Sequence, residues 1–142
     1  MNDPLVVHRS FYDAVESGDV DLMASLWVDD PGTSCVHPGA VPLRGTSQVL
    51  RSWTVLMAGV DYIQFFLTDV DVVLLPRGAD NPDTAIIVCT ENILSGEGLS
   101  PGADAFSGGT ALCTSILVKA GSGWKFWSRH ASPIAELPME EN

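Results

Sequence analysis

A chain of 142 residues with 46% hydrophobic and 18% charged side chains has the length and composition of one globular domain with a sizeable core. Its 18 acidic residues against 7 basic ones, a net charge of −11, argue against nucleic acid and anionic membranes as partners, since no Lys/Arg run could neutralise phosphates. The N-terminal MNDPLVVHRS lacks the basic and apolar regions of a secretory leader, and no apolar run reaches the roughly 18–20 residues of a membrane span, so a cytoplasmic location is expected.

Asp3-Pro4 has the form of a helix start, an acidic N-cap followed by Pro at the first helical position. Val7, Phe11, Ala14 and Val15 then recur at helical spacing, and Gly18 supplies the stop. Asp19 can cap a second, short helix through Val20, Met23, Ala24 and Trp27, which ends near Asp29-Asp30-Pro31-Gly32. Next comes CVHPGAVPLRG, in which a histidine, His37, stands against a Pro-Gly turn. A third helix runs from about Ser47 to Ala58, capped by Gly45-Thr46 and carrying Val49, Leu50, Trp53, Leu56 and Met57 on its apolar stripe.

From Tyr62 onward β-branched and aromatic residues dominate. Strands are expected at Tyr62–Leu75, Thr84–Leu94, Thr110–Lys119 and Trp124–His130. The loop PRGADNPD separates the first two, a glycine-rich stretch from Ser95 to Gly109 the next two, and a hairpin at AGSG the last. Helices followed by antiparallel strands read as an α+β fold with the helices on one face of a sheet. One domain spans residues 1–142, with its core at about 4–133 and an acidic tail from Glu136.

Period-two alternation puts Ala85, Ile87, Cys89, Glu91 and Ile93 on one strand face. A carboxylate ending an apolar stripe must be paired or have its pKa raised. Glu91 is therefore either an acid–base candidate or a strand-end side chain turned to solvent or bonded to Arg129. The same rule groups Trp124, Phe126, Ser128 and His130 on one face of the last strand, with Lys125, Trp127 and Arg129 on the other. His8 is assigned to the surface of the first helix. Arg44 is a candidate for an anionic ligand group or for pairing with Asp29 or Asp30. Trp27 and Trp53 sit on apolar helical stripes, where packing is the default role.

Cys35, Cys89 and Cys113, odd in number and widely spaced, are expected as reduced thiols. His37, Glu91 and His130 have metal-ligand chemistry but no short ligand spacing, so no metal is expected. Neither a phosphate loop nor a GxSxG elbow is present, and no cofactor is implied.

Taken in order, FYDAVESGDVDLMASLWVDD, HPG, PLRG, the Trp of the third helix, CTEN and GW…RHASP resemble the SnoaL-like branch of the ketosteroid isomerase-like, or nuclear transport factor two-like, superfamily. The resemblance runs from about Pro4 to Pro133. It implies a cone-shaped, curved antiparallel sheet wrapped around three N-terminal helices, with a pocket at the wide end, and in many members a homodimer through the outer face of the sheet.

Such a domain would bind a small apolar ligand in a pocket with Trp27, Trp53, His37, Glu91 and His130 as candidate lining. The isomerase pattern puts its catalytic Asp at His37, a general acid–base candidate, with Glu91 as a possible catalytic partner in an isomerase, dehydratase or cyclase reaction. The pattern's oxyanion donors fall at Ser10 and about Ser115, neither of which is the expected Tyr or Asp. Tyr12 lies two residues from the first, on a different helical face. Steroid isomerisation by that route is not expected, and ligand binding without turnover is the leading reading. The apolar strand residues Val70, Val72, Leu74, Ile86, Val88, Leu112, Ile116 and Val118 are the expected dimer surface.

Overall fold

Helix α1 spans Pro4–Ser17 and begins as its sequence demands: the Asp3 carboxylate accepts from the Leu5 N–H at 2.9 Å, with Pro4 at the first position. Gly18, at φ +68°, closes it in the left-handed conformation that only glycine adopts without strain. Asp19 then caps α2, Val20–Ser25, by accepting from Leu22 at 3.0 Å. The computed structural model describes residues 3–95, 109–121 and 123–134; residues 96–108 of the expected glycine-rich loop and the acidic tail lie outside them.

Two short strands that the pattern did not predict follow α2. Strand β1, Ser34–Val36, pairs antiparallel with β2, Leu43–Arg44, and parallel with the last strand. Helix α3, Thr46–Ala58, leads to the long strands β3, Ile63–Leu75; β4, Thr84–Ser95; β5, Gly109–Ala120; and β6, Gly123–Pro133. The sheet order is β2-β1-β6-β5-β4-β3, with β3 to β6 joined antiparallel in sequence. The fold is α+β, a curved open sheet with helices against its inner face.

Regular alternation holds along β4 and β5, where Ala85, Ile87, Cys89, Glu91 and Ile93 stand inward beside Ala111, Cys113, Ser115 and Leu117. It breaks at two bulges. In β3 the register with β4 shifts between Thr68 and Asp71, and Asp69 takes φ +52°. Beyond it Val73, paired with Ile86, stands on the outer face, while Val72, expected on the dimer surface, is turned by the bulge to pack against the core. In β6 the register slips between Ile116 and Leu117 so that Trp127 is the extra residue. A one-residue slip exchanges the two faces of everything beyond it.

The core is built on touching aromatic rings. Phe11 meets Trp53 edge-on at 4.9 Å and Phe126 at 5.2 Å, and Trp27 stacks on Phe126 at 5.4 Å. Val7, Met23, Ile87 and Leu117 fill between them, all buried. Burying each such side chain stabilises the fold by about 1.5–3 kcal/mol.

Candidate active site inside the curved sheet

The bulge in β6 turns Arg129 inward and His130 outward, reversing the assignment made from simple alternation. Arg129 is fully buried and its Nη2 donates to Glu91 Oε2, also fully buried. Tyr12, on the inner side of α1, donates its hydroxyl to the same oxygen at 2.5 Å. The guanidinium lies over the Phe11 ring at 4.6 Å and the Trp53 ring at 5.4 Å. Three elements thus deliver one polar group, Tyr12–Glu91–Arg129, into an aromatic shell.

Burying an ion pair costs several kcal/mol per ion, and recovering that requires good geometry and satisfied hydrogen bonds. Here the hydrogen bonding converges on one carboxylate oxygen. Glu91 Oε1, Arg129 Nε and Arg129 Nη1 have no hydrogen-bond partner among the described residues, nor does His8 Nε2. The Cys35 sulfur, a weak acceptor, lies beside the guanidinium. Burial works against the charge of Arg129, but the negative charge of Glu91 beside it helps to outweigh that and the guanidinium stays protonated. Burial likewise raises the Tyr12 pKa well above that of an ordinary phenol, so it remains a donor.

His37 follows β1 directly. Its carbonyl accepts from Ala40 N–H at 2.9 Å, and Gly39 at φ +74° occupies the third place of that turn, as a type II turn requires. The turn brings the ring inward, 93% buried, edge-on to Trp53 at 4.6 Å, with Nε2 2.9 Å from Ser52 Oγ. Ser52 has one hydroxyl hydrogen, and its Oγ also lies 2.7 Å from the Val49 carbonyl, which can only accept. Giving that hydrogen to Val49 makes His37 Nε2 the donor and leaves the lone pair on Nδ1. Burial, and then the charge of Arg129, lower the His37 pKa to about 4, so the ring is neutral at pH 7.

His37 and Glu91 therefore belong to one contiguous wall, bridged by Trp53 and Arg129. Trp27 sits further along the aromatic core against Phe126. His130 does not join them: it is exposed on the outer face, in a groove of about 310 Å³ with Leu112, Thr114, Ile116, Ser128 and Ser132. His8, expected at the surface, is buried edge-on to Tyr12 at 5.2 Å, with its pKa lowered to about 4 by burial and then by Arg129.

The two positions that the isomerase pattern assigns to oxyanion donors hold no such groups. Ser10 Oγ donates back to Val6 O, and Ser115 lies on the inner face 3.7 Å from the Cys113 sulfur. The pairing of Glu91 with Arg129, one of the alternatives open in the sequence, is the one the structure forms, whereas Tyr12 as a second donor to Glu91 was not expected. The signal for Tyr12 was present: His8, Tyr12 and Val15 run beside the Val7–Phe11–Ala14 stripe at the same helical spacing and widen it.

The SnoaL-like domain family matches residues 6–136. The chain belongs to that family. A crystal structure of a candidate dehydratase of the nuclear transport factor two-like family from Streptomyces avermitilis is 40% identical, covering 92% of this SnoaL-like chain and 93% of its own, at a TM-score of 0.76. A candidate calcium/calmodulin-dependent protein kinase type II association domain from Thiobacillus denitrificans is 26% identical over 95% of this chain and 98% of its own, at 0.72. A candidate aromatic ring hydroxylase from Novosphingobium aromaticivorans, 16% identical over 93% of this chain and 87% of its own at 0.69, shares the fold. No curated protein matches the chain.

Neighbours named as enzymes and as an association domain leave the function of this SnoaL-like chain to its own residues. Among the described residues no three His, Cys, Asp or Glu side chains gather as a metal site would require, and no helix is long and apolar enough to cross a membrane.

Proposed function

We propose that this protein binds a small, largely apolar molecule inside the curved sheet, against the wall formed by His37, Trp53, Glu91 and Arg129. One observation carries the reading: a buried ion pair surrounded by aromatic rings still has hydrogen-bonding atoms to offer, Glu91 Oε1 and two guanidinium nitrogens. Buried polar atoms in folded proteins are nearly always satisfied, so atoms such as these call for a partner from outside the chain. A thermal-shift screen of apolar carbonyl and polycyclic compounds tests it. A ligand at a hundredfold its Kd adds about 2.7 kcal/mol of stability. A hit that stabilises the wild type but not His37→Ala places the ligand at this wall, whereas hits that ignore His37→Ala, Trp53→Phe and Glu91→Gln alike remove the reading.

A second reading adds chemistry. The 40% identical relative is named as a candidate dehydratase, and His37 has a neutral ring held by Ser52. With its pKa near 4, His37 would act as a base and not as an acid at pH 7, and as a weak one, since catalytic pKa values work best near the operating pH. The dehydratase reading therefore predicts that His37→Gln lowers turnover of a bound hydroxycarbonyl compound with little change in its Kd; unchanged turnover would discard it.

The outer face supports a homodimer. Phe66, Leu94 and Leu112 are each about half exposed there, alongside Ile86, Val88, Ile116 and Val118. A second copy laid against this face would cover an apolar surface that water solvates poorly.

A further inference from the structure

The polar group of the interior wall has a defined hydrogen-bonding complement, and with the interior site proposed above it fixes the kind of molecule that fits. Glu91 Oε1 can only accept, while Arg129 Nε and Nη1 can only donate. Nη1 shares its carbon with the Nη2 that touches Glu91, and Oε1 shares its carbon with the Oε2 that Nη2 touches. Covalent geometry therefore keeps the spare acceptor and a spare donor within reach of one small functional group. The two charges already compensate each other, with both side chains fully buried, so an added ionic charge would find no counter-charge there.

We propose that this pair selects a neutral molecule whose polar end carries a donor beside an acceptor, as the edge of an amide or lactam does, over an anion or a plain hydrocarbon. The acceptor of the ligand takes an Arg129 N–H and its donor faces Glu91 Oε1. Phe11 and Trp53, which flank the guanidinium, suit an aromatic or otherwise flat body behind that edge. An anionic ligand would place its charge beside Glu91, and an apolar one would leave both side chains unmatched. A site built to hydrogen-bond a ligand rejects the analogue that cannot reciprocate far more strongly than an apolar pocket rejects a misfit.

Four compounds of nearly one shape test this on the wild-type protein by NMR titration of the tryptophan indole signals. Benzamide has donor and acceptor, acetophenone an acceptor only, benzoate a negative charge, and toluene neither. Benzamide is expected to bind at least about tenfold more tightly than each of the others, the discrimination of a single buried hydrogen-bonding match. Glu91→Gln, which leaves Arg129 uncompensated, should reverse the order of benzamide and benzoate.

Benzoate, acetophenone or toluene binding as tightly as benzamide would overturn the selectivity and leave interior binding standing. Failure of all four to bind would remove the interior site together with the proposal. The wild-type ranking requires no variant to fold. An unchanged order in a folded Glu91→Gln protein would show that Glu91 does not set the choice.

Discussion

Two buried histidines give the protein a stability that depends on pH above the range where most carboxylates titrate. His8 and His37 each have a pKa of about 4 in the folded chain against 6.5 when solvated, with burial as the first cause and the charge of Arg129 as the second. Glu91 works in the other direction on His8, and Arg9 adds to the lowering. Above pH 6.5 both states hold neutral rings and the full stability is present. Below it the unfolded chain takes up protons that the folded chain refuses, so stability falls as pH drops toward 4.

Between pH 7 and pH 5 each histidine then costs about 2 kcal/mol, and the two together about 4 kcal/mol, a large share of the 5–15 kcal/mol typical of a domain. Urea unfolding at pH 7, 6 and 5, at fixed protein concentration and ionic strength, measures this directly. With a slope near 2 kcal/mol per molar urea, the midpoint should fall by about 2 M. His37→Gln, which can keep a bond to Ser52, and His8→Gln should each remove about half of the pH dependence. A wild-type loss below about 1 kcal/mol, or single variants that retain the whole of it, would refute the burial of these rings as charge-excluding sites.

Three further outcomes follow from the same structure. Arg129→Met should destabilise the fold by about 3–5 kcal/mol, because it leaves the Glu91 carboxylate buried without its counter-charge; the double variant with Glu91→Leu should recover most of that loss in the same urea assay, and a double variant no better than the single would deny that the pair is coupled. Cys35, Cys89 and Cys113 are free and buried, and burial raises the pKa of each, that of Cys113 to about 12. Ellman's reagent should therefore label none of the three in native protein and all three in denaturant, since the thiolate is the reactive form; rapid native labelling of any one would contradict its placement. Sedimentation at micromolar concentration should give twice the mass of one chain, and Leu112→Lys should return the single-chain mass if the outer face is the contact.

Much of the fold was legible because its local signals agree with one another. Asp3, Pro4 and Gly18 bound α1 where the sequence places them, and Asp19 starts α2. The alternation along β4 carries Glu91 to the inner face as read. The site was legible only in part, and the reason is the pair of bulges. Alternation carries no mark of an inserted residue, so the extra Trp127 exchanged the faces expected for Arg129 and His130, although the partnership of Glu91 with Arg129 was already among the alternatives.

At Asp69 the sign is faint: an aspartate tolerates positive φ better than most residues, yet nothing in LTDVDV requires it. Strands β1 and β2 were missed because two or three residues carry no periodicity, and β1 is specified by its pairing with a strand almost a hundred positions away. Tyr12 lies two residues from the position the isomerase pattern points to, at Ser10, and its own helical face leads to Glu91.

A ligand held at the wall of His37, Trp53, Glu91 and Arg129 would leave a contact signature that can be read directly. The most direct test is to measure intermolecular nuclear Overhauser effects between the best-binding compound of the screen and the isotope-labelled protein. Contacts to the Trp53 and Phe11 rings and to the His37 imidazole are expected. Contacts confined to Leu112, Ile116 and His130 on the outer face would contradict binding at that wall.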